Sequence, residues 1–128
     1  MKLLQQIATK LIDANLCEEI DVDIFTDFRP SNQDNIVVLS EYKGTGPAMF
    51  TNTSVRSVQV YVRNRKNMVA KEKIWKIYDL LHCLDGIITL DNKISIINIR
   101  NTPIKMGMDE KNRYEWVINL GITYDNTL

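Results

Sequence analysis

The sequence predicts an α+β fold: a mainly antiparallel β-sheet with two helices packed on one of its faces, in the order α-β-β-β-α-β-β-β. Three observations carry this. Two segments repeat apolar residues at helical spacing. Several others alternate apolar and polar residues with a period of two. Turn-forming residues join consecutive strand segments, and hairpins make a sheet antiparallel. A chain of 128 residues is the size of one domain, expected to run from 1 to 128.

The first helix rests on Leu3, Leu4, Ile7, Ala8, Leu11 and Ile12, which form one apolar stripe. Asn15 is its expected end, because Asn tolerates the left-handed conformation that closes helices. Val22, Ile24, Thr26 and Phe28 then alternate with Asp21, Asp23, Phe25 and Asp27, predicting a strand with one buried face that Pro30 stops. Ser31 to Asn35 is turn chemistry. A second strand, Ile36 to Glu41, is apolar on both faces. After a long connection, Val58, Val60 and Val62 alternate with Ser57, Gln59, Tyr61 and Arg63 in a third.

The second helix is expected from Asn67, a candidate N-cap, to Leu84, with Gly86 as its stop. Ala70, Ile74, Ile77, Leu81 and Leu84 form its buried stripe. Ile87 to Leu90 and Lys93 to Ile99 flank the hairpin signal Asp91-Asn92. Pro103, Gly107 and the polar run Asp109 to Arg113 read as a longer connection. In the last strand Tyr114, Trp116, Ile118, Leu120, Ile122 and Tyr124 share a face.

Sixteen basic residues balance sixteen acidic ones. A dedicated DNA-binding domain carries a basic excess, because phosphate neutralisation supplies most of its affinity. Charge near zero favours association with proteins instead. Cys17 and Cys83 belong to no CxxC pair, so a reducing compartment is expected. The amino terminus lacks a signal-peptide pattern, and no segment holds the roughly 20 apolar residues that span a bilayer.

The chemistry-bearing residues read as structural. His82, one turn after Asp79, has no nucleophile held against it and suits a cation near a helix C-terminus. Glu18, Glu19, Asp21, Asp23 and Asp27 lack calcium-loop spacing and read as a solvated strand face. Arg56, Arg63, Arg65 and Lys66 form a candidate basic surface around the third strand, suited to incidental contact with DNA or to guarding a sheet edge. Gly44-Thr45-Gly46-Pro47 lacks the Lys-Ser/Thr ending of a phosphate loop. Trp75 and Tyr78 read as packing residues. No catalytic residue, cofactor or metal site is expected.

The element order, the phrases Val38-Leu39-Ser40-Glu41-Tyr42 and Gly44-Thr45-Gly46-Pro47, and the strand Ser57 to Arg63 followed by an amphipathic helix resemble the tail terminator and minor capsid proteins of long-tailed phages and prophages. The strand Tyr114 to Tyr124 fits as well. The resemblance implies a homo-oligomer, a hexameric ring that caps the finished tail tube, ends its elongation and joins the head connector. It implies a virion protein at the head-proximal end of the tail, assembled in the host cytoplasm. Its partners would be copies of itself, the tube protein and the connector protein, with incidental contact to DNA in the ring lumen and none to membrane. Rival readings are another head–tail joining protein, such as a stopper or adaptor, and a small cytosolic enzyme or ligand-binding domain.

The connection from Gly44 to Thr53 is longer than a hairpin needs, and such loops often carry function. Its Gly44, Thr45, Gly46, Pro47, Met49 and Phe50 form a candidate assembly loop, expected to order against a neighbouring subunit or the tail tube. Met49 and Phe50 are apolar where a monomer would expose them.

Overall fold

A computed structural model describes residues 3–44, 53–83, 87–90 and 93–125. Its elements are α1 (Leu3–Asp13), β1 (Ile24–Thr26), β2 (Ile36–Gly44), β3 (Thr53–Asn64), α2 (Asn67–Cys83), β4 (Ile87–Leu90), β5 (Lys93–Ile99), β6 (Ile104–Met108) and β7 (Tyr114–Asp125). The fold is α+β, with the expected helix–three strands–helix–strands order. Among the described residues seven strands form one sheet, ordered β1-β2-β3-β7-β5-β4, with β6 also pairing β7. All neighbours are antiparallel except β1 and β2.

Both helices lie on one face. Leu3, Leu4, Ile7, Ala8 and Leu11 of α1 and Ala70, Ile74, Ile77 and Leu81 of α2 bury against Val37, Leu39, Val58, Val60, Val62, Trp116, Ile118, Leu120 and Ile122. The period-two and helical stripes read from the sequence thus meet in one core. Asn15 closes α1 as expected. It sits at φ 61°, its N–H donates to Ile12 O, and Leu16 N–H reaches back to Leu11 O. Those are the two bonds of the helix-closing motif that a left-handed residue permits. The expected Gly86 stop and Asp91-Asn92 turn lie outside the described residues.

Three elements depart from expectation. β1 is only Ile24–Thr26, and both Ile24 and Phe25 are buried, on opposite faces. Val22 and Phe28, expected on the buried face, are 46% and 62% exposed. The cause is at the flanks, where Asp21 and Asp27 adopt φ of 67° and 54° and turn the chain out of the strand before Pro30. The connection between β5 and β7 contains β6, held to β7 from Ile104↔Val117 to Met108↔Tyr114 around a bulge. Asn67 does not cap α2. Lys66 O accepts the first helical bonds, from Val69 and Ala70 N–H, and the Asn67 side chain instead accepts from Trp116 Nε1 at 3.0 Å.

Candidate functional site

On the face away from the helices, register places Phe25, Val38, Tyr61, Val117 and Ile104 in one row across β1, β2, β3, β7 and β6. The first four are buried, with Ile36, in a second small core. Ile104, at the end of the row, is 44% exposed. Arg29 lies over the Tyr61 ring, 3.7 Å from its centroid, and Phe28 meets Phe25 edge-on. The Tyr61 hydroxyl donates to Glu115. Burial first, and then that carboxylate, push the Tyr61 hydroxyl up to about 12.

Cations hold the 30–34 loop over this core. Arg63 donates to Pro30 O at 2.6 Å and to Gln33 O. Arg113 donates to Ser31 O at 3.0 Å and Gln33 O at 2.8 Å, and Lys111 Nζ to Ser31 O at 3.0 Å. Asp109 anchors Arg113 through its side-chain and backbone N–H groups. Arg65 pairs with Asp34. Three loop carbonyls are therefore satisfied by charged donors, which make stronger hydrogen bonds than neutral ones.

The expected basic surface does not survive as one patch. Arg63 is 3% exposed, because the loop carbonyls fold over it. Arg56 pairs in register with Ile122, on the helix-covered face, and forms a two-pronged ion pair with Glu41. It also stands seven residues along β3 from Arg63, roughly 24 Å away. Arg65 and Lys66 are exposed but follow the strand. The strand itself is central, between β2 and β7, so it guards no edge. Incidental DNA contact through these four residues has no single surface to rest on.

The acidic run is also not a strand face. The Asp23 carboxylate accepts the N–H groups of Glu18 (2.9 Å) and Glu19 (3.1 Å), and Asp27 accepts that of Glu41. These carboxylates satisfy backbone donors in turns. Among the described residues no group of His, Cys, Asp or Glu is arranged to hold a metal ion.

Of the candidate assembly loop, Gly44 ends β2 opposite Arg56, while Thr45, Gly46, Pro47, Met49 and Phe50 lie outside the described residues. Gly44 and Thr53 emerge at the end of the sheet opposite the cation-held loop. His82 is exposed and stacks on Tyr78, centroids 5.7 Å apart. Trp75 meets Tyr78 edge-on but is itself 36% exposed, so it packs only partly. Cys17 lines a cleft of about 290 Å³ with Glu18, Asp23 and Lys73. Burial, only partly offset by Lys73, pushes its thiol up to about 11, so it is a protonated and poor nucleophile at neutral pH.

Val22, Phe28, Tyr42, Met68, Val69, Trp75, Ile104, Met106 and Met108 are all exposed large apolar residues. The sequence reading missed the three on β6, because Pro103, Gly107 and the polar run Asp109 to Arg113 around them read as a connection. A family model described as bacteriophage tail terminator protein matches residues 11–126. The chain belongs to the bacteriophage tail terminator family. The matched span takes in every strand and all of α2. A tail terminator is a structural protein of the phage tail. Among the described residues no helix of this tail terminator is long and apolar enough to cross a membrane. A search of curated proteins returns no match to the chain.

Proposed function

We propose that this tail terminator assembles into a ring of six copies that seats on the finished tail tube, ends its elongation and offers its other side to the head connector. The observation that carries the reading is the set of large apolar side chains left in solvent, Phe28, Trp75 and Met106 among them, on a chain with no net charge. Such side chains are what a surface awaiting partners exposes, and low net charge removes the repulsion that keeps copies apart. Ring closure uses unlike patches on successive copies. The connection bounded by Gly44 and Thr53, with Met49 and Phe50, supplies a contact to the neighbouring copy or the tube. The protein then works at the head-proximal end of the tail after assembly in the host cytoplasm.

The test is the mass in solution and the negative-stain image of the purified protein, alone and with tube protein. Six-membered rings that bind tube ends are expected. A chain that stays monomeric at all concentrations, with and without tubes, overturns the reading.

A further inference from the structure

The two ends of the apolar row differ in a complementary way. At one end stands β1, flanked in the chain by Val22 and Phe28, 46% and 62% exposed. The turn before it carries Glu18, Glu19 and Asp21, all exposed and without an ion pair among the described residues. At the other end stands β6, where Ile104 ends the row, Met108 lies on the opposite face across from Tyr114, and Met106 sits at the bulge between them; they are 44%, 49% and 61% exposed. Between them Lys105 lies over the Tyr114 ring and meets no carboxylate among the described residues. Among the described residues β6 pairs with β7 alone, leaving its outer backbone edge without a strand partner.

Open edges are commonly guarded by proline, lysine and bulges. Pro103, Lys105 and the bulge at Met106 fit that description. A guard does not account for three large apolar side chains among five residues. A bulge also re-aims side chains, and here it falls on the most exposed of the three.

We propose that the β6 edge of one copy docks on the β1 side of a second copy of this chain, setting Ile104, Met106 and Met108 against Val22 and Phe28, and Lys105 against the acidic turn. The proposal rests on the ring reading and names the contact that builds the ring. Two unlike patches on opposite edges, each complementary to the other, are what a head-to-tail contact needs. Apolar burial holds the contact together, while the single lysine facing three carboxylates fixes its register.

The test uses two variants of the full chain, Met106→Asp and Val22→Asp. Both positions face solvent, so circular dichroism and thermal melting should show native folding. Each variant alone should remain monomeric where the wild type forms rings, because each has lost one of its two patches. Mixed in equal amounts they should form a one-to-one dimer and nothing larger, since each retains the patch its partner needs. Rings formed by either variant, or a mixture that stays monomeric, overturn this contact while leaving a ring-forming wild type unexplained by it. A wild type that never assembles overturns the contact and the ring reading together.

Discussion

The guanidinium of Arg100 lies across the backbone of Gly121, so that a Cβ at position 121 would stand 2.7 Å from Arg100 Nη2. The same guanidinium donates through Nη1 to Ser57 Oγ at 2.8 Å, and Ser57 is only 2% exposed. Gly121 is thus the gap in β7 that lets an arginine from the end of β5 reach a buried hydroxyl on β3.

Gly121→Ala should displace Arg100 and cost about 1 kcal/mol, the worth of one hydrogen bond to a charged donor less the gain from removing glycine freedom. Arg100→Ala should cost a similar amount. With Arg100→Ala already present, Gly121→Ala should be neutral or slightly stabilising, since nothing remains to clash. Urea midpoints of the four proteins close this cycle. Additive costs would show that the two residues act independently.

Trp116 and Leu120 lie on the face of β7 that α2 covers. Leu120 has no exposed surface, and Trp116 spends its indole N–H on Asn67. Truncating either to Ala should cost about 2–5 kcal/mol from lost burial and a residual cavity. Thermal and urea unfolding measure it, and midpoints that barely move would contradict the packing.

These two residues were legible in the sequence because β7 and the helices bury single stripes, and a single stripe prints its period directly. β1 was misread for the same reason. Val22 to Phe28 alternates well, but Asp21 and Asp27 find backbone-turning conformations that a hydropathy pattern does not register. β6 is five residues with a bulge, and β7's free edge decides its pairing rather than its own propensity. Arg63 looked like a surface cation because its partners, Pro30 O and Gln33 O, are carbonyls some thirty residues away, and backbone carbonyls leave no trace in side-chain pattern.

Asp109 shows what the cation-held loop costs in acid. Burial raises its pKa, but the hydrogen bonds from Arg113 and the Lys111 N–H outweigh this and hold the carboxyl below its ordinary value. A depressed carboxyl contributes stability that is complete above the unfolded value, about pH 4, and is lost as pH falls through the lower folded value. Asp109→Asn should therefore destabilise the protein at pH 7, by about 2 kcal/mol, since it removes the nearer of the two carboxylates beside the buried Arg113 and leaves only Asp34 at 3.7 Å. It should also flatten the loss of stability on acidification. Urea midpoints at pH 7 and below pH 4 test both parts, and parallel acid limbs for the two proteins would refute the assignment.

The connection between β2 and β3 offers a direct test of function. Its anchor points are fixed: Gly44 pairs with Arg56, and Thr53 pairs with Asp125. Two strands so placed need only a few residues to join them. In the proposed function the extra length, with Met49 and Phe50 in it, serves assembly rather than the fold. Replacing 45–52 with a short Gly-Ser bridge should leave unfolding midpoints within about 1 kcal/mol of wild type, because loop-closure entropy changes slowly with length. It should weaken ring formation or docking on tube ends, and infected cells should yield tails of abnormal length. The variant separates this loop from the edge contact through β6: loss of tube docking with rings intact assigns the loop to the tube, and loss of rings assigns it to the neighbouring copy. Normal rings on tails of normal length would remove the loop from the mechanism altogether.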